Sequence, residues 1–110
     1  MSSNPTLQRN LTIDHSVSDE GTPILVCRGR INLENANLFR SEVKSLSSQN
    51  KLVLADLSGV DAVDSSGLGS ILGTYISAKS DNCELRLLNV HPRVKDLLNL
   101  THLNSVFEGR

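Results

Sequence analysis

The chain has 110 residues, a formal charge of −1, 38% hydrophobic residues and only 3% aromatic ones. That length suits one compact domain whose core is aliphatic, built from Leu, Val and Ile. A near-neutral chain with almost no aromatic platform argues against nucleic acid as the main partner, because phosphate backbones are gripped by excess Lys and Arg.

Residues 1–10, MSSNPTLQRN, are polar and contain Pro5; they read as a loose tail ahead of a domain over residues 11–110. They lack the basic-then-apolar pattern of a signal peptide. No apolar run approaches the roughly 18 residues that span a bilayer, so a cytoplasmic protein with no membrane partner is expected. LTIDHSV (11–17) alternates weakly and predicts a short edge strand, and DEGTP (19–23) a turn. In the next strand, 24–31, Leu25, Cys27, Gly29 and Ile31 share one face and Ile24, Val26, Arg28 and Arg30 the other. Cys27 and Cys83 stand far apart in strand-like segments with no zinc-type spacing; they read as reduced, partly buried thiols.

Asn32 is placed as a helix N-cap with Glu34 in the first turn. Ala36, Phe39, Val43 and Leu46 then form an apolar stripe. KLVLADL (51–57), with four consecutive apolar residues, predicts a strand buried on both faces. A helix over 64–79, a strand over 83–90, a helix from His91-Pro92 and a short strand at Val106-Phe107 complete the order β-β-α-β-α-β-α-β. Pro92 suits a first helical turn. Val94, Leu97 and Leu98 are expected to face the core. This alternation predicts a single α/β domain: a mixed sheet, mostly parallel after an opening hairpin, with helical crossovers.

The segment DSSGLGSILG (64–73) carries three glycines, each costing about 1 kcal/mol relative to alanine inside a helix. Leu68, Ile71, Leu72, Tyr75 and Ile76 recur at helical spacing and predict a core-facing stripe. Ser66, Ser70, Gly73 and Ser77 recur on another face, small and nearly uncharged until Lys79. Such a face, with Gly69 beside it, suits close docking by a partner. The plainer alternative packs Gly69 and Gly73 against a neighbouring helix of the same domain. At the helix start, Asp64, Ser65 and Ser66 compete for one cap position, which leaves at least one hydroxyl exposed. A phosphate there would add about −1.5 to −2 charges, tolerated by the helix dipole but unfavourable to a docked partner.

The run LVLADLSGVDAVDSSGLGSILGTY resembles the signature of the STAS domain (sulfate transporter and anti-sigma factor antagonist), in particular its stand-alone bacterial antagonists. Weaker similarity extends over about residues 20–107, including GRINLENA and NVHPRVKDLL. The resemblance implies the STAS fold and a regulatory protein without catalytic residues, metal or cofactor. Its implied partners are an anti-sigma factor that is also a serine kinase, bound in the unphosphorylated state, and a serine phosphatase. It implies Ser65 as the phosphorylated residue. Asp64, Ser65, Ser66, Gly67, Gly69, Ser70, Gly73, Ser77 and Asn32 then form the partner-binding set. The family often has Asp where this chain has Asn32, bulkier residues at Ala62 and Val63, and a final helix beyond the position of Arg110.

Three other readings are open. A nucleophile elbow at Ser65 would need glycine at position 63, which is Val63. His15, His91 and His102 are scattered and read as surface or capping residues, and there is no G-x-x-x-x-G-K-[ST] phosphate loop. A receiver-like phosphoacceptor would use Asp56 at a strand end. A non-phosphorylated STAS subunit of a signalling or transport assembly keeps the fold and changes the role.

Overall fold

The chain alternates strands and helices as its apolar pattern requires, but it begins earlier than expected. A computed structural model describes residues 6–8 and 10–101. Thr6–Gln8 form strand β1, paired antiparallel with β2, Leu11–Val17. The loose-tail reading therefore fails for residues 6–8, and β2 is an inner strand rather than an edge. The reversal between them uses Asn10 at φ 72°, a conformation that Asn tolerates better than most residues.

β2 pairs antiparallel with β3, Pro23–Ile31. The turn between them is closed by Gly21 N–H donating to the Ser18 carbonyl at 2.9 Å, with Gly21 at φ +86°. β3, β4 (Leu52–Val63) and β5 (Glu84–Leu88) run parallel, joined by α1 (Ala36–Ser47) and α2 (Ser65–Ser80). The sheet order is β1-β2-β3-β4-β5, and α3 (Pro92–Leu100) follows β5. The expected strand at Val106-Phe107 lies outside the described residues.

Period-two alternation places Leu25, Cys27 and Ile31 in the core with Leu11 and Ile13 of β2. Phe39 and Val43 of α1 and Ile71 of α2 close over them. Fully burying a side chain such as Phe39 contributes about 1.5–3 kcal/mol. In α3, Val94 and Leu98 are buried and Leu97 is half-buried. His91 caps that helix, its Nδ1 accepting from Arg93 N–H at 3.1 Å.

Two corrections bear on the site. β4 does not stop at Leu57 but pairs with β3 as far as Val63. Two register shifts put an extra residue into β4 each time, so the buried positions run Val53, Ala55, Leu57 and then Val60. A bulge of this kind moves side chains off strict alternation, which is why the strand signal fades at Ser58. Asn32, in turn, is not the cap of α1. Its side chain accepts from Glu34 N–H at 3.0 Å in a local turn, and the helix begins after the buried Asn35. Asn35 Oδ1 accepts from Asn32 N–H at 2.9 Å and its Nδ2 donates to the Arg30 carbonyl at 2.9 Å. Glu34 accordingly falls outside the first turn of α1.

Candidate functional site

The bulged end of β4 delivers the chain directly into α2. Asp64 adopts an extended conformation and its Oδ1 accepts from Gly67 N–H at 2.7 Å, so it is the N-cap. Its carbonyl accepts from Leu68 N–H at 2.8 Å, the first turn of the helix. With the cap position filled by a carboxylate, Ser65 and Ser66 occupy the first two helical positions. Both are exposed, and neither hydroxyl makes a hydrogen bond among the described residues.

The start of α2 is also pinned to β3. Asp64 N–H donates to the Ile31 carbonyl at 3.3 Å. Gly67 lies so close to that carbonyl that a β-carbon would stand 2.2 Å from its oxygen and 2.8 Å from its carbon. Gly67 is thus buried against the strand and is not part of an outer docking face, contrary to its place in the predicted set. The 32–34 turn follows directly on Ile31, the residue that this contact joins to the start of α2. There Asn32 is half-buried, and Leu33 is 75% exposed.

The helical phase of α2 also differs from the sequence expectation. Its buried line is Gly67, Ile71, Thr74 and Ala78. Leu68, Leu72 and Tyr75 are half-buried against the core, whereas Ile76 is 58% exposed. Ser70 and Ser77, expected on the docking face, turn toward α1: Ser70 Oγ donates to the Ala36 carbonyl at 3.4 Å, and Lys44 Nζ donates to Ser77 Oγ at 3.2 Å. Small side chains let α1 approach closely. A further clamp joins the helices at their carboxyl ends, where Asp81 accepts from Ser47 Oγ at 2.7 Å and Lys44 Nζ at 3.2 Å. The Ser47 hydroxyl and then the Lys44 ammonium hold the Asp81 carboxyl below the usual carboxylate range.

What faces outward is a different stripe. Ser65, Gly69 and Ile76 recur at i, i+4 and i+11, one line along a helix, with Gly73 beside it and the half-buried Leu72 at its edge. Added β-carbons at Gly69 and Gly73 meet nothing within 4 Å, so neither glycine is held by internal packing. The exposed serine therefore heads a shallow, uncharged stripe of glycine and aliphatic carbon. Sequence reasoning placed Leu68, Ile71, Leu72, Tyr75 and Ile76 on one core-facing stripe; the structure packs the first four against the core and leaves Ile76 outside it. The available signal was that α2 carries apolar residues around more than half its circumference.

The other candidate groups sit elsewhere. Asp56 is in mid-strand, not at a strand end. Burial works against its charged form, but the Ser58 N–H, the Ser58 hydroxyl and the Asn89 amide keep its carboxyl below the ordinary value. His15 does have an acidic partner, Glu42 of α1. It pairs with Leu25 at the far end of the sheet, six residues along β3 from Ile31, so about 20 Å separates it from the start of α2. His102 lies outside the described residues. Cys27 and Cys83 are both buried and free, and burial pushes the Cys27 thiol up to about 12. No helix among the described residues is long and apolar enough to cross a membrane.

Comparison with known proteins agrees with this fold. A model of the STAS domain matches residues 15–110. The anti-sigma-B factor antagonist of Bacillus subtilis is 25% identical over 99 residues, 90% of each chain. A Thermotoga neapolitana protein named as an anti-sigma factor antagonist homolog is 32% identical over 89 residues, 79% of each. Among solved structures, unphosphorylated SpoIIAA, an anti-sigma factor antagonist, superposes with a TM-score of 0.67 at 18% identity, covering 83% of this chain and 81% of its own. The phosphorylated form of that Bacillus protein gives 0.65 at 16% identity and 87% of each chain. At those identities the two structures speak for the fold.

Proposed function

The chain belongs to the STAS domain family, and from that premise we propose that it is an anti-sigma factor antagonist switched by phosphorylation of Ser65. Unphosphorylated, it binds an anti-sigma factor that is also a serine kinase, and so frees a sigma factor. The kinase transfers a phosphoryl group to Ser65 Oγ, the complex loosens, and a serine phosphatase resets the protein. It acts by binding and has no reaction of its own to catalyse, in the cytoplasm where those partners work.

The observation that carries this reading is the exposed Ser65 hydroxyl, freed from capping by Asp64. A cap serine would be committed to a backbone N–H, whereas this one is open to a kinase. A phosphate at the first position of α2 meets the positive end of the helix, so the fold tolerates it. The partner does not. Docking over Gly69, Leu72, Gly73 and Ile76 would desolvate a group carrying about −1.5 to −2 charges, with Asp64 beside it and Asp61 four residues away. Desolvating an unpaired charge costs several kcal/mol, which is several powers of ten in affinity. The two arms of the switch are thus an apolar contact surface and a charge placed at its head.

The test uses the anti-sigma factor kinase recovered on the wild-type protein. Incubation with that kinase and ATP, followed by peptide mass spectrometry, is expected to place the phosphate on Ser65. Phosphate on Ser66 with Ser65 untouched refutes the assignment. Ser65→Ala is expected to bind without being switched off, and Ser65→Asp to bind more weakly with the fold intact. Equal affinity of the two variants would mean that charge at this position is not the switch.

A further inference from the structure

Ile31 ends β3, and the peptide unit that joins it to Asn32 is held from both sides. Its carbonyl oxygen accepts from Asp64 N–H at 3.3 Å and lies so close to Gly67 that an added β-carbon would stand 2.2 Å away. Its N–H donates to Asn35 Oδ1 at 2.9 Å. The C=O and N–H of a trans peptide share one plane and point in opposite directions. Asn35 therefore grips the edge of that plane opposite to the one on which α2 starts. The Asn35 amide nitrogen donates in turn to the Arg30 carbonyl at 2.9 Å. One side chain thus brackets Ile31, bonding the backbone before it and after it.

Among the described residues the buried polar side chains are Asn35, Ser47 and Thr74. Thr74 returns its hydroxyl to its own helix, at the Ser70 carbonyl, and Ser47 belongs to the Asp81 clamp. Asn35, at 0% exposure, serves the end of β3 instead. An apolar side chain would fill its volume without the cost of burying an amide, so what the amide adds is the orientation of the 31–32 peptide. Without it the Asn32 N–H loses its partner, and a half-buried donor regains one by turning the peptide toward water. A tilt of about 30° carries the carbonyl oxygen about 1 Å. The bond from Asp64 N–H is already at the long end of its range, so a shift of that size breaks it. Asp64 is the cap that leaves the Ser65 hydroxyl free, and the first turn of α2 moves with it.

From this bracket we infer that Asn35 is a positioning residue for the phosphorylation of Ser65. Acting through the Ile31–Asn32 peptide and Asp64, it fixes where the Ser65 hydroxyl stands against the kinase. The inference rests on the proposed function and adds to it a residue at the start of α1 that sets the rate of the switch from inside the fold. A phosphoryl acceptor displaced by about 1 Å loses on the order of a hundredfold in rate. The docking stripe of Gly69, Gly73 and Ile76 lies further along α2 and stays in place. The loss therefore falls on kcat and spares KM.

The experiment compares wild type, Asn35→Ala, Asn35→Asp and Val43→Ala as substrates of the kinase recovered on the wild-type protein. Val43 is buried in the same helix and takes no part in the bracket, so its truncation controls for lost stability. Urea curves fix a temperature at which each variant is folded. Asn35→Ala is expected to lower kcat for Ser65 by about tenfold or more, with KM close to the wild-type value. Its Asp64 amide is expected to exchange with deuterium about tenfold faster relative to the slowest amides of β4. Val43→Ala should change neither quantity. Asn35→Asp keeps the acceptor for Asn32 N–H and gives up the donor to Arg30; it is expected to recover most of the wild-type kcat. If Asn35→Ala does not fold, Asn35→Ser, which keeps a capping hydroxyl on a shorter side chain, is read in its place. Equal kcat for the Asn35→Ala and Val43→Ala proteins, or an Asp64 amide no faster than in wild type, overturns the positioning role and leaves the Ser65 switch standing. A loss in Asn35→Asp as large as in Asn35→Ala assigns the effect to packing and overturns it as well. If the kinase leaves Ser65 of the wild type unmodified, the proposed function and the positioning role fall together, while the Asp64 exchange rates still report whether Asn35 holds the start of α2.

Discussion

The three glycines of α2 make opposite predictions when each is given a methyl group. At Gly67 a β-carbon would stand 2.2 Å from the Ile31 carbonyl oxygen, 2.8 Å from its carbon and 3.1 Å from Val63 Cγ1. Ordinary contact needs at least about 3.4 Å, so the start of α2 must move away from β3 by about an ångström. That movement strains the Asp64 N–H bond to the same carbonyl and opens the Ile31 packing beneath. Overpacking of this order costs about 1–3 kcal/mol, against a helix-propensity gain of at most about 1 kcal/mol for Gly→Ala. Gly67→Ala is therefore expected to be destabilised by about 1–2 kcal/mol. The control is Gly73→Ala, where open space leaves only the propensity gain and stability rises by about 0.5–1 kcal/mol. Urea unfolding of the two variants beside wild type reads the difference as midpoints shifted in opposite directions at equal slope. A Gly67→Ala protein as stable as wild type would refute the close-approach argument, and a destabilised Gly73→Ala would refute the outward assignment of that face.

Three further outcomes follow from the same geometry. Ile76→Glu is expected to leave the unfolding midpoint within about 0.5 kcal/mol of wild type, as for other surface changes, while weakening kinase binding at least tenfold; loss of stability instead would put Ile76 back in the core. Asp81 is held below the usual carboxylate range by Ser47 and Lys44, so the folded state takes up its proton less readily than the unfolded chain. Its contribution is present above about pH 3.9 and is lost as pH falls through the lower folded value. Wild type and Asp81→Asn should thus differ in stability at neutral pH and converge in strong acid; curves that stay parallel contradict the clamp. Cys27, with its thiol pushed up to about 12 by burial, is expected to resist iodoacetamide at pH 8 in the native protein and to react at the ordinary thiol rate once denaturant is added.

Some of this protein was written into local sequence. The alternation of Leu25, Cys27 and Ile31 needs no neighbour to specify which face is buried, because side chains in a strand point to opposite sides by geometry. The cap at Asp64, the Pro92 start of α3 and the motif around Ser65 are equally local, resting on hydrogen bonds within a few residues. Three things depended on distant partners. β4 runs on to Val63 only because β3 pairs with it through two register shifts, and a bulge erases the period that a reader of sequence relies on. The 32–35 turn displaces the start of α1 because the buried Asn35 amide reaches back to Arg30. The phase of α2 was the hardest to read. A helix apolar around most of its circumference offers several faces to the core, and the choice went to the line of Gly67, Ile71, Thr74 and Ala78. With that line inward, Gly67 admits the Ile31 carbonyl and the small Ser70 and Ser77 beside it meet α1. The sequence by itself determined that the helix would form and where its serine would stand; the tertiary structure decided, through those two close approaches, which of its faces was left for another protein.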